Sequence, residues 1–458
     1  MNGSYTVKPS EPTWQGVMPL SVFDQIGTIT HELTIYIYRR PQNNCLSPPE
    51  AIMDALKDSL GRALSHFYPL AGRVRWSGEG GSRLELHCNA MGAMLREAEA
   101  DAELYHFLGH DFSLSRKYRY LIPAVDYSLP LEEIPLLLVQ LTRFACGGIS
   151  LGCTVSHTVA DGRAAFYFMS EWARLARGEP LKTAPFLDRG VLQAGEPPRE
   201  YVPEDPADYY LPELMVAEKS KGFDDQDGIK MDKTAMARLK LRQDQVENLK
   251  KMANERREES ETANRAYTRF EALAAHIWRC VSKARNHEFP EQPTALGVTV
   301  DSRSRVHPPL PQNYFGNAVF DVLANSASGE LLSKPLGYAA SRIRAAIAKV
   351  NSEFVGTAID YLKSIPDLAW LQNIGPVLHG TPSIMNPNLG IISWLGLPNT
   401  DGHDFGWGKE IYMGPGEIDG ESCYVLPCPS GDGSVIVVLC LQAVHMDSFK
   451  KHFYDDIA

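Results

Sequence analysis

The sequence predicts a mixed α/β protein built from two domains. In both halves, short apolar or β-branched runs typical of strands alternate with segments of helical periodicity. A stretch rich in proline and acidic residues, 195–212, separates the halves and is typical of an exposed linker. The 458 residues also exceed the roughly 100–200 that one domain commonly contains. We therefore place domains at 1–195 and 221–458, joined by a linker or crossover at 196–220.

In the first half, apolar residues repeat at helical spacing in Ile52, Leu56, Leu60 and Leu64. Two later apolar runs flank a glycine turn, which predicts a hairpin. The predicted elements are a strand at 34–38, a helix at 49–67, hairpin strands at 134–142 and 149–156, and a helix at 162–176.

In the second half, glycine-rich turns between the closing strands indicate antiparallel pairing. The predicted helices are 244–256 and 268–285, and the predicted strands are 235–241, 295–300, 411–414, 423–427 and 434–442.

Composition and charge exclude several classes of function. The net charge of −11, with no long basic run, disfavours nucleic acid as a partner. The apolar runs are too short to cross a membrane, and the first residues lack the organisation of a secretory signal. No cysteine or histidine set has zinc-ligand spacing, and the scattered cysteines favour a reducing compartment. We expect a cytoplasmic protein with no membrane partner and no metal.

The motif with the clearest chemistry is Ser156-His157-Thr158-Val159-Ala160-Asp161-Gly162. It follows an apolar strand and precedes a helix. A neutral imidazole at a strand end can accept a proton from a nucleophile at physiological pH. Asp161 can fix the start of the helix, and Gly162 would permit a close backbone approach or a positive φ. Taken alone, the spacing is more typical of a strand-end histidine followed by a capping aspartate.

A second motif, Asp404-Phe405-Gly406-Trp407-Gly408, lies near the end of the chain. Together the two motifs resemble those of the plant BAHD acyltransferases. The resemblance extends through Pro19-Leu20-Ser21 with Asp24, Tyr68-Pro69-Leu70-Ala71-Gly72-Arg73, Val300-Asp301-Ser302-Arg303-Ser304-Arg305 and Tyr314-Phe315-Gly316-Asn317. It therefore covers nearly the whole chain.

The resemblance implies two chloramphenicol-acetyltransferase-like domains, each a mixed sheet flanked by helices, with an active-site tunnel between them. Residues 365–400 would cross over to the first domain. His157 would act as general base in the tunnel. Asp161 would support the site by pairing with Arg303, or alternatively with Arg305. Gly162 and three residues of the second motif, Asp404, Gly406 and Trp407, would also be structural.

The same resemblance implies a reaction. His157 would deprotonate the acceptor as it attacks the thioester of an acyl-CoA, and would then protonate the departing thiolate. Acyl-CoA is a co-substrate, so no permanently bound cofactor is expected, and we expect a monomer. In hydroxycinnamoyl-transferring relatives, a Thr-Ser-Trp element helps to hold the oxyanion. Ser393-Trp394 matches it, but Ile392 replaces the threonine. The Trp394 indole N–H is therefore the candidate donor, with a role as pocket wall as the alternative.

The sequence also suggests residues that could contact the substrates. Thr34 and Tyr36 match positions near the phenolic end of the acyl group in relatives, and His31 with Glu32 would border the acceptor. Thr268 and Arg269 begin a predicted helix whose N–H groups could meet CoA phosphates.

The charged residues of the chain indicate the chemical class of the acceptor. No arginine occurs after Arg344, so an anionic acceptor such as shikimate would lack the cation that shikimate-type relatives supply. A polyamine instead needs carboxylates, and Glu32, Glu353 and Asp360 could provide them. The closing segment also resembles the spermidine hydroxycinnamoyltransferase group. We expect transfer of a hydroxycinnamoyl group to a small amine such as spermidine or putrescine. The alternatives are O-acylation of an alcohol and a catalytically silent CoA-binding protein.

Overall fold

The computed structural model describes residues 3–26, 29–41, 49–78, 82–108, 116–192, 234–255, 265–369, 377–378, 381–382, 385–398, 402–418 and 420–457. The predicted linker at 196–220 lies outside these residues. Two six-stranded sheets, one for each half of the chain, form the framework of the described part.

The strands are short and mostly apolar. Those of the first half are β1 (Gly3–Val7), β2 (Gly16–Pro19), β3 (His31–Tyr38), β4 (Arg73–Trp76), β5 (Leu84–Cys88), β6 (Ala93–Ala100), β7 (Leu137–Phe144) and β8 (Ile149–Ser156). Those of the second half are β9 (Thr234–Leu241), β10 (Pro293–Asp301), β11 (Val319–Ala327), β12 (Val377–Leu378), β13 (Thr381–Pro382), β14 (Leu389–Ser393), β15 (Tyr412–Pro415), β16 (Ser422–Pro427) and β17 (Val435–Gln442).

The helices are α1 (Val22–Gln25), α2 (Pro49–His66), α3 (Leu104–Leu108), α4 (Gly162–Ala176), α5 (Gln243–Asn254), α6 (Arg269–Arg285), α7 (Ser328–Ser333), α8 (Leu336–Lys349), α9 (Ser352–Ser364) and α10 (Ala443–Asp455). Short 3₁₀ helices occur at Tyr68–Ala71, Arg116–Leu121, Leu131–Glu133 and Arg189–Val191. Among the helices within the described ranges, none has both the length and the apolar character needed to span a membrane.

The first sheet has the order β1-β6-β7-β8-β3-β15, and β2, β5 and β4 form a separate small sheet. The predicted hairpin is present: β7 pairs antiparallel with β8. On the other side of β8, β3 pairs antiparallel along its whole length, from His31 opposite Ser156 to Tyr38 opposite Ile149. This pairing carries the amino end of β3 to the point where β8 ends, immediately before His157.

The second sheet has the order β11-β10-β14-β16-β17-β9 and mixes parallel with antiparallel pairs. Its two faces pack against different partners, because side chains alternate along a strand. On β17, Val437 and Leu439 belong to the core formed with α6 and α8, whereas Ile436 and Val438 belong to the core of the first domain. One face of the second sheet is thus covered by helices, and the other is turned toward the first domain.

One strand changes domain. β15 pairs antiparallel with β3, with Tyr412 opposite Ile37 and Pro415 opposite Thr34, so a segment from the second half completes the first sheet. The expected crossover, 365–400, touches the first half near its start, where Leu368 N donates to Ser82 O at 2.8 Å.

Residues 370–376, 379–380, 383–384 and 399–400 of the expected crossover lie outside the described residues. Within 365–400, β14 lies between β10 and β16 in the second sheet. The strand that crosses to the first sheet, β15, therefore lies C-terminal to the expected range. The domain limits at 1–195 and 221–458 stay a prediction.

Candidate active site

His157 stands directly after β8, at the surface where the two domains meet. Its N–H donates to the Thr30 carbonyl at 2.9 Å, and its own carbonyl accepts from Asn317 Nδ2 at 2.8 Å. One contact comes from the first half of the chain and the other from the second. The side chain is 36% exposed. The main chain is therefore held from both sides, while the imidazole can be reached from outside.

Asp161 joins the two domains. Its carboxylate accepts from Arg303 Nη1 and Nη2 at 2.8 and 2.9 Å, a bidentate ion pair in which both side chains are at most 5% exposed. It also accepts from Ala164 N at 2.9 Å, as the N-cap of α4, and from Ala318 N at 3.0 Å. Of the two arginines considered, Arg303 makes the pair. Arg305 donates to main-chain carbonyls of α8 and its C-cap instead.

Protonation follows from these contacts. Burial alone would raise the pKa of Asp161, but the charge of Arg303 and the hydrogen bonds from Arg303, Ala164 and Ala318 hold that pKa below its ordinary value. Burial alone would lower the pKa of Arg303, and the Asp161 carboxylate raises it above its usual range. The pair is therefore ionised, and the saturated Asp161 carboxylate has no free position from which to relay a proton.

Gly162 begins α4, and it does not adopt a positive φ. A Cβ placed there would meet Leu397 at an ordinary contact distance of 3.8 Å. The expectation that this glycine serves a close backbone approach or a left-handed conformation was therefore wrong.

A second buried ion pair supports the loop. Arg189 Nη1 donates to Asp24 Oδ1 at 2.5 Å, and Arg189 Nη2 donates to the Val159 carbonyl at 2.7 Å. The same Asp24 oxygen accepts from Asn317 Nδ2 at 2.8 Å, the amide that also holds the His157 carbonyl. Sequence analysis missed the role of Arg189. Arg189 belongs to no recognisable motif, so the sequence gives no indication of its partner Asp24, which is 165 residues away.

The proposed pocket residues of β3 divide between its two faces. Glu32, Thr34 and Tyr36 share one face by the alternation of a strand, and Glu32 Oε1 lies 4.0 Å from His157 Nε2. Thr34 is half-buried and Tyr36 is fully buried, its ring 4.7 Å from that of His403. These residues form a row that leads from the imidazole into the first domain.

His31 occupies the opposite face of β3. Its Nε2 donates to the Pro135 carbonyl at 2.9 Å, which leaves Nδ1 to accept from the Tyr127 hydroxyl at 3.0 Å. Burial lowers the pKa of His31 to about 4, although the Pro135 bond opposes this, so the ring is neutral at physiological pH. Its polar atoms serve the fold. The structure does not bring His31 into the row with Glu32.

Trp394 follows β14 on the side of the second sheet that faces the first domain. Its ring packs edge-on against Phe166 of α4, with centroids 5.0 Å apart, and against Tyr424 at 5.5 Å. Its main-chain N–H donates to Val425 O at 2.8 Å. Ile392, which replaces the expected threonine, packs against the core of the first domain. Trp394 thus contacts α4 at Phe166, five residues after the Asp161 cap.

The second motif forms a tight loop. Asp404 Oδ1 accepts from the N–H groups of Gly406 and Gly408 at 2.7 and 2.9 Å. Both glycines have a φ near +90°, a conformation that favours glycine. The Trp407 ring stacks on Phe405 with centroids 5.3 Å apart and meets Tyr38 edge-on. These contacts make the second motif a packed turn.

Thr268 and Arg269 lie elsewhere. Thr268 caps α6 in a capping box with Glu271, and Arg269 pairs with Glu247 of α5. Helix α6 packs in the core on the face of the second sheet turned away from the first domain. The structure does not bring these residues to His157. Among the described residues, no group of His, Cys, Asp or Glu is arranged to hold a metal ion.

A cavity of about 900 Å³ does not include His157 in its lining. Arg189 forms part of the cavity wall beside Ser21 and Gln25. The cavity therefore borders residues that hold the His157 loop in place, and not the imidazole itself. The interdomain tunnel stays a prediction, which the exposure of the imidazole supports.

A family model described as Transferase family matches residues 1–456. The chain belongs to this family, the BAHD acyltransferases. Its BAHD relatives include the hydroxycinnamoyl-CoA:piscidic acid hydroxycinnamoyltransferase of Actaea racemosa, 43% identical over 100% of this chain and 99% of that protein. The shikimate O-hydroxycinnamoyltransferase of Nicotiana tabacum is 38% identical over 99% and 98%. A 5-hydroxyanthranilate N-hydroxycinnamoyltransferase of Avena sativa is 34% identical over 98% and 96%.

Solved structures confirm the fold. Vinorine synthase aligns with a TM-score of 0.71 and 23% identity, covering 97% of this chain and 95% of that chain. The F. graminearum TRI101 complex with coenzyme A and T-2 mycotoxin aligns with a TM-score of 0.77 and 20% identity, covering 95% and 97%. The predicted BAHD architecture of two α/β domains with mixed sheets is therefore confirmed.

The Asp161–Arg303 pair predicts a pH-dependent stability. The folded pKa of Asp161 is depressed, so its contribution is fully present above the unfolded pKa of about 3.9 and is lost as pH falls through the folded pKa. Asp161→Asn, which leaves the buried Arg303 with only its ion pair to the partly exposed Asp301 at 3.1 Å, should cost up to about 3–5 kcal/mol at pH 7. Urea unfolding at several pH values should show this difference constant down to about pH 5 and shrinking below it.

Asp447→Asn serves as the control, because Asp447 is exposed on α10. Its stability should follow that of the wild type at every pH. A cost of Asp161→Asn that stayed unchanged down to pH 3 would contradict the ion pair.

Proposed function

We propose that the chain transfers a hydroxycinnamoyl group from CoA to the nitrogen of a small amine, such as spermidine or putrescine, with His157 as general base. The observation that carries the proposal is the state of His157: its main chain is fixed from both domains, its ring is partly exposed, and Glu32 lies 4.0 Å from Nε2. The family supports acyl transfer, and the names of the relatives support a hydroxycinnamoyl donor.

The imidazole performs two proton transfers. His157 Nε2 accepts a proton from the acceptor nitrogen as that nitrogen attacks the thioester carbonyl, and a tetrahedral oxyanion forms. When the carbon–sulfur bond breaks, the imidazolium gives its proton to the departing CoA thiolate. The products are an amide and free CoA, and the imidazole returns to its neutral form. The nearby Glu32 carboxylate stabilises the transient imidazolium.

Asp161 acts on the position of His157 rather than on its proton. Its oxygens are occupied by Arg303, Ala164 and Ala318, so it fixes the helix start that follows the His157 loop. Trp394 is the proposed oxyanion donor, since it lies against α4 on the domain interface and its indole N–H is a donor only.

The amine acceptor rests on charge. Glu32 beside the imidazole, together with the absence of arginine after Arg344, suits a cationic acceptor better than a carboxylate. The other two carboxylates considered do not add to this: Glu353 is exposed in the first turn of α9, and Asp360 is buried on the side of α9 that packs in the second core.

O-acylation of an alcohol is the second candidate. It is favoured by the names of the relatives, which include a shikimate O-hydroxycinnamoyltransferase. One relative that acylates nitrogen acts on 5-hydroxyanthranilate, an aromatic amine. The two candidates share His157 and the acyl-CoA donor, and differ only in the atom that attacks the thioester.

An acceptor panel separates the candidates. Coumaroyl-CoA is incubated with the purified chain and with spermidine, putrescine, matched amino-alcohols, and hydroxy acids such as shikimate, and the products are identified by mass. We expect amides of the polyamines as the main products. Esters of the hydroxy acids, with no amide formed, would refute the amine acceptor and leave the acyltransferase intact.

His157→Ala should lower kcat by about 10²–10⁴-fold, because the general base is removed. The release of free thiol from coumaroyl-CoA in the presence of the best acceptor measures this. His106→Ala is the control, since His106 is exposed in α3, and it should behave as wild type. Unchanged thiol release in His157→Ala would place the chemistry elsewhere, and no acceptor-dependent release in wild type would indicate a catalytically silent protein.

Trp394→Phe tests the oxyanion donor, because phenylalanine keeps an aromatic ring that can pack against Phe166 while the indole N–H is lost together with part of the ring. We expect kcat to fall by roughly 10²-fold or more, with little change in the KM for either substrate. Trp76→Phe, in β4 of the small sheet, is the matched control and should keep full activity. An unchanged kcat for Trp394→Phe would leave Trp394 as pocket wall.

A further inference from the structure

Asp321 is a carboxylate on the domain interface that the sequence analysis did not consider. It lies on β11 directly opposite Thr299 of β10, and Thr299 Oγ1 donates to Asp321 Oδ1 at 2.6 Å. Its strand neighbours Phe320 and Val322 pack in the helix-covered core of the second domain. Because side chains alternate, Asp321 must point to the other face, the one turned toward the first domain.

This position is close to the imidazole. β11 begins two residues after Asn317, whose side chain holds the His157 carbonyl, so Asp321 follows that contact by four residues of chain. Burial raises the pKa of Asp321, while the Thr299 hydrogen bond and the charge of His157 act to lower it. A positive charge on His157 would thus favour the ionised form of Asp321.

The Asp321 carboxylate keeps capacity for a ligand. Thr299 engages Oδ1, and no donor among the described residues engages Oδ2. The residue is half-buried, so it lies below the surface without being sealed from it. A carboxylate in this setting gains most from a cation that brings its own N–H donors.

Glu32 lies at the reacting end of the acceptor. It comes from the first sheet and its Oε1 is 4.0 Å from His157 Nε2, so its charge attracts a cationic acceptor to the imidazole but lies beside the nitrogen that reacts. That nitrogen must be neutral to attack, although amines near pKa 10 are mostly protonated at pH 7. A second ammonium, several methylenes away, can stay charged only if a separate acidic group receives it.

We propose that Asp321 binds the non-reacting ammonium of a diamine or polyamine acceptor and so selects acceptors with two separated nitrogens, while the other nitrogen reacts at His157. This inference rests on the proposed amine function. The second domain supplies the anchor and the first domain supplies the base. The distance between the two groups sets the length of acceptor that fits.

The test compares acceptors that differ only in the second cation. With coumaroyl-CoA as donor, kcat/KM is measured for 1,4-diaminobutane and for butylamine, in wild type and in Asp321→Asn. We expect Asp321→Asn to lose at least about tenfold in kcat/KM for the diamine, mainly through KM, as a charge-assisted hydrogen bond is lost. Butylamine, which has no second cation, should change by less than about threefold.

Two further variants complete the design. Asp321→Glu keeps the charge and should retain the preference for diamines, with its optimum shifted to a shorter chain. Asp447→Asn removes an exposed carboxylate on α10 and should match wild type with both acceptors. Circular dichroism and thermal unfolding of each variant verify that the fold is kept.

The outcomes distinguish the inference from the proposed function. Equal losses for diamine and butylamine in Asp321→Asn, or no loss for either, would overturn the role of Asp321 while amine acylation stands. Wild-type protein that acylates alcohols but neither amine would overturn the amine function, and the anchor with it.

Discussion

The bidentate pair of Asp161 and Arg303 is the interaction on which the geometry of the site depends. Asp161 caps the helix that follows the His157 loop in the first domain, and Arg303 follows the last residue of β10 in the second. Both charges are buried, which is favourable only because each carboxylate oxygen and both terminal guanidinium nitrogens find partners at good distances. A pair that tolerates so little displacement fixes the two domains relative to each other at the site of the reaction.

A second set of buried contacts holds the part of the His157 loop that the Asp161–Arg303 pair does not touch. Asp161 holds the helix after the loop, whereas Asp24, Arg189 and Asn317 hold the main chain of the loop itself. The buried polar contacts are therefore made to the main chain around His157, and the imidazole stays partly exposed. This division suits the general base proposed for His157, because the ring could exchange protons without breaking any contact that positions its main chain.

Sequence analysis predicted the local parts of this arrangement well. The strand before His157 and the helix after Asp161 are set by neighbouring residues, and both were predicted. It failed where the outcome depends on contacts distant in sequence. His31 was misplaced because β3 begins at residue 31, and pairing with β8, rather than the apolar pattern, determines which face each side chain takes.

Other misses have the same origin. Arg189 and Asp321 have no local motif, and only the meeting of the two sheets gives them partners. The exchange of β15 was not predicted either, since the edge that a four-residue strand joins, and not its composition, determines its place.

That exchanged strand affects how the protein can assemble. β3 forms the outer edge of the first sheet until β15 covers it, and β15 lies more than 250 residues beyond His157. During synthesis the first domain is therefore incomplete until almost the whole chain has left the ribosome, with an open edge able to pair with other chains. The first half expressed without β15 would keep the β3 edge uncovered, and an open edge of this kind favours aggregation.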